Sequence, residues 1–379
     1  MKKVLIEGWR GINHSYAIVN QNQLLQLRKS HFDLYHNDLP FYNHEWNIGS
    51  NASGFADQDL MLINEIPSFH INSTPVDVTY RISFPYRFYK ANSRKLFVFG
   101  TSEYQSINGL IYEDDLNRGL ENSDLMIITP SNWSKEGFLI AGFRDERVYV
   151  VPHGVSEIFK PVDSHRKSEF RKALGCSADE FLLLSVGAMT GNKGIDLLIA
   201  AYALLKRKYK HIRLILKDSS NLYGIKAKEI FIELQKQHPE LLSQEIYKSI
   251  IFISENLTQS QLNGLYGTCD CYVSPYRAEG FNLSPLEAAA SGSLVLVTEG
   301  GSTDDYFHSS FGLKIEGKRA SNGADGFYIE PNMESLLNQL TSVIEGKVDA
   351  KNSDEAQKYI RENFSWDAVV QKLINIFDA

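Results

Sequence analysis

Short apolar runs alternate with stretches of helical periodicity along the chain. Runs at 3–7, 95–100, 124–129 and 147–151 have the length and composition of strands buried on both faces. Those at 181–186, 213–216, 250–253, 271–274 and 293–298 read the same way. Helical patterns lie between many of them, as at 24–28, 195–209 and 262–266. Strand–helix–strand alternation predicts an α/β protein whose parallel sheets carry helices on both faces. The order breaks near 151–161, where Pro152, Gly154 and Pro161 bracket an irregular stretch and charges follow from 163 to 172. The break predicts two Rossmann-like, doubly wound domains, 1–155 and 156–360, with strand carboxyl ends on a shared cleft. A helical stretch at 361–377 closes the chain, and the pattern does not say which domain it joins.

The most informative segment runs from Cys271 to Gly292. An apolar strand ends at Pro275, a turn carries Glu279 and Gly280, and Ser284-Pro285 is expected to open an alanine-rich helix that Gly292 ends. Backbone N–H groups at such a helix start, with the positive end of its dipole, suit a diphosphate. A carboxylate accepts paired hydrogen bonds from vicinal hydroxyls, so Glu279 before the helix and Glu287 on its first turn suit the two ends of a sugar nucleotide. A second block, Val186-Gly187-Ala188-Met189-Thr190-Gly191-Asn192-Lys193-Gly194, reads as strand, glycine-rich loop and helix start. It is neither a Walker loop nor a dinucleotide fingerprint.

The first segment resembles the E-x7-E motif of retaining GT-B glycosyltransferases, glycosyltransferase family 4 in particular, in the frame S-P-x-x-x-E-G-F-x-L-x-x-L-E-A-x-A-x-G. The resemblance implies that Glu279 contacts the donor sugar and Glu287 the nucleotide ribose. It also implies that the backbone of Gly280, Phe281, Asn282 and Leu283 approaches sugar and phosphate. The second block is similar to the family's V-G-R-L-x-x-x-K-G-x-D-x-L, which implies that Gly187 lines the site and Lys193 neutralises the donor diphosphate. The family's arginine is Ala188 here, so a second cation is expected from Arg10 or from Lys217, which follows the 213–216 strand. Glu7 to His14 resembles the first-domain glycine loop, placing Gly11 and Arg10 near the phosphates. Pro130-Ser131-Asn132-Trp133, Val151-Pro152-His153-Gly154-Val155, Gly300-Gly301-Ser302 and Phe364-Ser365-Trp366 follow in family order. The resemblance also implies that the final helix, 361–379, packs back on the first domain. Where the family often has a strand-end histidine, this chain has Thr101-Ser102-Glu103-Tyr104. Glu103, His14 and His153 are further candidates.

The implied activity is retaining transfer of a hexose, glucose from UDP-glucose by expectation, to a hydroxyl of a glycan or lipid-linked glycan in polysaccharide biosynthesis. No aspartate-rich metal clamp is evident in the sequence, so neither a metal site nor a cofactor beyond the donor is expected. A sugar-nucleotide epimerase on the same architecture and a non-catalytic sugar-nucleotide-binding protein remain open on these residues.

Composition narrows this further. The 379 residues suit two domains, and a net charge of −7 argues against nucleic acid as a partner. Three cysteines without a framework suit reduced, buried thiols and a cytoplasmic setting. The apolar start stops at Glu7, short of a signal sequence, and no run approaches a membrane span. Arg81, Arg87, Lys90, Arg94 and Lys95 lie among aromatic residues at 80–89 and suggest an acceptor face, with peripheral contact at the inner membrane surface.

Overall fold

A computed structural model describes residues 1–46, 54–70, 75–323, 326–348 and 354–379. The chain forms two compact units, one of Met1–Gly154 with Asn363–Ala379, the other of Val155–Asn322 with Phe327–Glu362.

The first unit holds β1 (Lys3–Gly8), β2 (Asp33–Asp38), β3 (Val76–Ile82), β4 (Ser93–Phe99), β5 (Leu125–Thr129) and β6 (Val148–Val150). They make one parallel sheet in the order β2-β1-β3-β4-β5-β6. Val4, Ile6, Tyr80, Ile82, Phe97, Phe99 and Ile127 belong to its core. The helix Trp366–Asp378 packs here, with Phe377 against the rings of Tyr80 and Phe97. Lys2 Nζ donates to the Phe377 carbonyl at 2.7 Å.

The second unit holds β7 (Phe181–Gly187), β8 (Ile212–Asp218), β9 (Ile250–Ile253), β10 (Cys271–Ser274), β11 (Leu294–Thr298) and β12 (Gly312–Ile315), plus an antiparallel hairpin of β13 (Gly317–Ser321) and β14 (Phe327–Pro331). Its six-stranded sheet runs β12-β11-β10-β7-β8-β9, all parallel. Both units are Rossmann-like and doubly wound. In each, the chain winds outward one way and then returns to the other side of its first strand. The second unit's order therefore reverses between β7 and β10, and a crevice opens at the carboxyl ends of strands on either side of such a reversal.

Several elements differ from the sequence reading. Strand β2 is a polar edge, Asp-Leu-Tyr-His-Asn-Asp, so no apolar run marks it. Strand β3 buries Thr79 at its centre and Arg81 near its carboxyl end. Arg81 is 2% exposed; its guanidinium donates to Glu7 at 2.6 Å and to the carbonyls of Arg87 and Tyr89. Tyr80, Tyr86 and Phe88 are buried as well. Of the basic and aromatic residues expected to form an acceptor and membrane face, Arg81, Tyr80, Tyr86 and Phe88 are thus core, where an internal ion pair and backbone carbonyls satisfy the Arg81 cation, whereas Lys90 and Arg94 are exposed and Arg87 and Lys95 half-buried. The helix read at 24–28 is the end of Ser15–Leu27, whose middle buries Asn20, Gln21, Asn22 and Gln23. The closing helical stretch is two helices, Asp354–Phe364 and Trp366–Asp378; Ser365 divides them by capping the second, accepting from Ala368 N at 3.2 Å. All three cysteines are buried free thiols. No described helix is long and apolar enough to cross a membrane.

Candidate functional site

The loops that follow β7 and β10 meet at the second unit's switch point. After β7 the chain makes a single turn at Gly191–Lys193, passes through Gly194 in the left-handed region (φ 67°) and enters the helix Ile195–Lys208. Gly194 is required here on two counts. L-residues disfavour that φ, and a Cβ would lie 1.9 Å from the Pro275 carbonyl oxygen. The two loops are stitched together through Asn192, by its backbone and its side chain. Arg277 N donates to Asn192 O at 2.6 Å, and Asn192 Nδ2 donates to Ala278 O at 2.9 Å.

Arg277 completes the seam. Its guanidinium forks onto Asp196 at 2.8 and 2.9 Å, reaches Glu330 of β14 at 3.1 Å and donates to Gly191 O at 2.9 Å. The result is that Lys193 and Glu279, 86 positions apart, form a hydrogen-bonded ion pair. Glu279 is 4% exposed.

Asn282 caps the helix Leu283–Ala290 in the left-handed region (φ 62°), one of the few conformations that asparagine tolerates and most residues do not. Its Nδ2 donates to Ser274 Oγ at 3.0 Å, and its carbonyl accepts from the Tyr306 hydroxyl at 2.7 Å. The helix thus starts before Ser284. Pro285 becomes its third residue, still within the turn where a missing N–H costs no intrahelical bond. Glu287 then falls on the second turn rather than the first. It keeps part of its surface open, yet burial of the carboxyl pushes its pKa up to about 7, against a 3.1 Å hydrogen bond from the Tyr266 hydroxyl that lowers it. Glu279 and Glu287 border the same phenols, since both raise the pKa of Tyr272 and Tyr306, on which burial acts first.

The structure therefore brings together Lys193, Glu279, Glu287 and the Gly280-Phe281-Asn282-Leu283 backbone. Gly187 ends β7 at φ 142°, and a Cβ there would meet open space. Lys217 lies one strand over, in register with Val186, and is 6% exposed. Its Nζ donates to the Asp218 carbonyl, and burial holds the amine below its usual pKa. Arg10 and Gly11 belong to the first unit. The Arg10 guanidinium forks onto Asp38 at 2.6 and 2.8 Å, and Gly11 N donates to Gln21 Oε1 at 3.0 Å. His14 accepts from Tyr16 N at 3.1 Å as a helix cap, and its pKa falls to about 4 by burial. His153 packs beside Phe99 and Trp366, its pKa lowered to about 3 by burial. The Glu103 carbonyl accepts from the Trp133 indole at 2.8 Å. Among the described residues, no group of three or more His, Cys, Asp or Glu could hold a metal ion.

The sequence reading missed Arg277, Tyr266, Tyr272 and Tyr306. Arg277 had one available signal: Asp196, the acid of the K-G-x-D segment, had no assigned partner. The tyrosines had none, because they reach the carboxylates from other elements.

The pattern of glycosyl transferases group 1 matches residues 166–363, more than half of the chain. Lipopolysaccharide 1,2-N-acetylglucosaminetransferase of Salmonella typhimurium is 24% identical over 264 residues, covering 67% of this chain and 62% of its own length. D-inositol 3-phosphate glycosyltransferase of Pseudarthrobacter chlorophenolicus is 29% identical over 184 residues, 48% of this chain and 41% of its own. The chain thus spans less than two thirds of the length of these relatives. Among solved structures, Anabaena Alr3699/HepE in complex with UDP and glucose superposes over all of both chains with a TM-score of 0.71 at 16% identity. WaaG, a glycosyltransferase involved in lipopolysaccharide biosynthesis, covers 100% of this chain and 99% of its own with a TM-score of 0.64 at 14% identity. The family pattern covers both loops of the switch point and the fold extends over the whole chain: this protein belongs to the glycosyl transferases group 1 family and has the GT-B fold.

Proposed function

We propose that this chain is a retaining hexosyltransferase that moves glucose from UDP-glucose to a hydroxyl of a glycan or lipid-linked glycan. The observation that carries the reading is the convergence of Lys193, Glu279 and Glu287 on one switch point, beside the start of the helix Leu283–Ala290. A cation, a helix N-terminus and two carboxylates are the groups a nucleoside diphosphate sugar needs. The complexes of Anabaena Alr3699/HepE with UDP and with UDP-glucose support that donor class.

In this reading the bond from the anomeric carbon to the β-phosphate oxygen breaks, and UDP leaves with the electron pair. The acceptor oxygen bonds to the same face of the sugar, and its proton passes to the departing phosphate. Negative charge grows on the diphosphate, where Lys193 and the helix N–H groups stabilise it. Donor binding takes Lys193 from its pair with Glu279 and frees that carboxylate for the sugar hydroxyls. With protein cations at the phosphates, the reaction proceeds without an added metal.

Calorimetry with UDP on two variants tests the assignment. Glu279→Gln should lose most turnover while UDP affinity stays near normal, because its partner is the sugar. Glu287→Ala should weaken UDP itself, by about 1.5–3 kcal/mol for a charged hydrogen-bond pair. Equal weakening in both, or none in the second, shows the roles misassigned. A product of inverted configuration by NMR excludes retention, and loss of turnover in excess EDTA excludes metal independence. Sugar turnover without any acceptor would point instead to an epimerase.

A further inference from the structure

Glu287 is a carboxylate in an unusual position. Tyr266, buried on the helix Gln259–Thr268, donates to its Oε2 at 3.1 Å. Among the described residues no lysine, arginine or histidine forms an ion pair with it. The groups around it are weakly acidic or neutral. Tyr272 comes from β10 and Tyr306 from the segment after Gly301; both feel the charges of Glu287 and Glu279. Ser284, on Glu287's own helix, hydrogen-bonds with Tyr266 and Tyr272. Strand β11, packed under the helix, carries no titratable residue. The helix Asp354–Phe364 reaches in through the neutral Gln357, which donates to the Ala289 carbonyl at 2.9 Å. Lys193 is committed to Glu279.

A ribose diol offers two hydroxyl donors, and an ionised carboxylate accepts strongly from both while also accepting from a phenol. A protonated carboxyl turns one oxygen into a donor and accepts more weakly. We infer that Tyr266 is a positioning residue for nucleotide binding: its hydroxyl holds Oε2 of Glu287 while the diol is received, so that taking up a nucleoside diphosphate sugar drives a proton from Glu287 to solvent. The inference rests on the donor reading above. It adds a proton linkage and a residue that sets the linkage without touching the reacting atoms. Burial, with no paired cation among the described residues, leaves Glu287 partly protonated near neutrality in the empty site. The Tyr266 hydroxyl favours its departure, and the ribose completes it.

The probe is UDP-glucose, whose diphosphate is esterified at both ends and does not titrate near neutrality. Its binding is measured by calorimetry at pH 6, 7 and 8.5, in buffers of different ionisation enthalpy, so that protons exchanged are counted. The unaltered chain should release a sizeable fraction of a proton at pH 6 and close to none at pH 8.5. Tyr266→Phe should bind about tenfold more weakly at pH 6, the loss of one hydrogen bond to a charged group, and recover most of that affinity at pH 8.5. Glu287→Gln should bind weakly and exchange no protons. Recovery with pH is what damaged packing cannot give. An equal loss for Tyr266→Phe at every pH overturns the proposal, as does proton-free binding by the unaltered chain. If Tyr266→Phe does not fold, the proton count of the unaltered chain against Glu287→Gln decides. No binding of UDP-glucose by the unaltered chain overturns the donor reading itself, whereas proton-free binding leaves that reading intact.

Discussion

Ala188 stands where the motif it resembles implies an arginine, and the cations elsewhere in the chain show what can replace that charge. Lys193 is held in the site by Glu279, while the Arg10 guanidinium is occupied by Asp38. Lys217 is buried at the carboxyl end of β8, where among the described residues its Nζ donates to the Asp218 carbonyl and forms no salt bridge, so that burial outweighs the more distant charges of Asp218 and Glu255 and makes this a costly place for an ammonium. A diphosphate arriving nearby would recover that cost. Turnover should therefore fall tenfold or more in Lys193→Ala and in Lys217→Met, matching about 1.4 kcal/mol or more of transition-state stabilisation, and far less in Arg10→Ala. Near-normal turnover in Lys217→Met leaves Lys193 and the helix N-terminus to carry the charge alone. At this scale the sequence exposed the residues that sit in a fixed spacing, Glu279, Glu287 and Lys193. It hid those that act through a neighbour. Tyr266 meets Glu287 across 21 positions and Arg277 meets Asp196 across 81, and no local pattern records such a pairing.

Elements built from apolar runs were legible, and those built from satisfied polar groups were not. Strands β9 and β10 coincide with their runs because burial on both faces demands continuous apolar sequence. Strand β3 violates that demand at Arg81, whose charge Glu7 and two carbonyls absorb. The helix Ser15–Leu27 violates it with four buried amides. The Leu283–Ala290 boundary moved for a similar reason: Asn282 supplies a left-handed cap that a search for serine caps overlooks. The seam between the loops after β7 and β10 is the element on which the site depends, and Gly194 is its tightest point. Gly194→Ala forces a Cβ onto the Pro275 carbonyl and strains a left-handed φ. It should cost at least about 1–2 kcal/mol and separate Lys193 from Glu279. Thermal melting and UDP-glucose binding check this together; an unchanged melting point with normal binding would show that the seam yields freely.

At the scale of the whole molecule, the two units share a winding but differ in how they store buried ionisable groups, and this sets opposite responses to pH. The first unit holds three histidines in the neutral form: half-buried His14, with its pKa lowered to about 4, and buried His36 and His153, each lowered to about 3, all chiefly by desolvation. Unfolding returns them to about 6.5, so below that value the unfolded chain binds more protons than the folded one. Their contribution to stability is full above about pH 6.5 and is lost as pH falls, toward about 4 for His14 and about 3 for His36 and His153. Glu287, in the second unit, works the other way. Its folded pKa is raised, so the folded state holds the extra proton between the ordinary carboxylate range and about 7, and stability from it declines as pH rises through that window. Between pH 7.5 and 5 most exposed carboxylates stay ionised, so these groups dominate the difference. Acidification over that range should therefore loosen the first unit and leave the second unchanged or slightly firmer. Hydrogen exchange of strand amides, corrected for the intrinsic pH dependence of exchange, reads each unit separately. Protection in β1, β3 and β4 should fall on acidification while that in β7, β10 and β11 holds. His153→Phe, which keeps an aromatic ring beside Phe99 and Trp366, should lessen the first unit's loss. Equal loosening of both units, or earlier loss in the second, would show that the buried histidines do not govern acid stability.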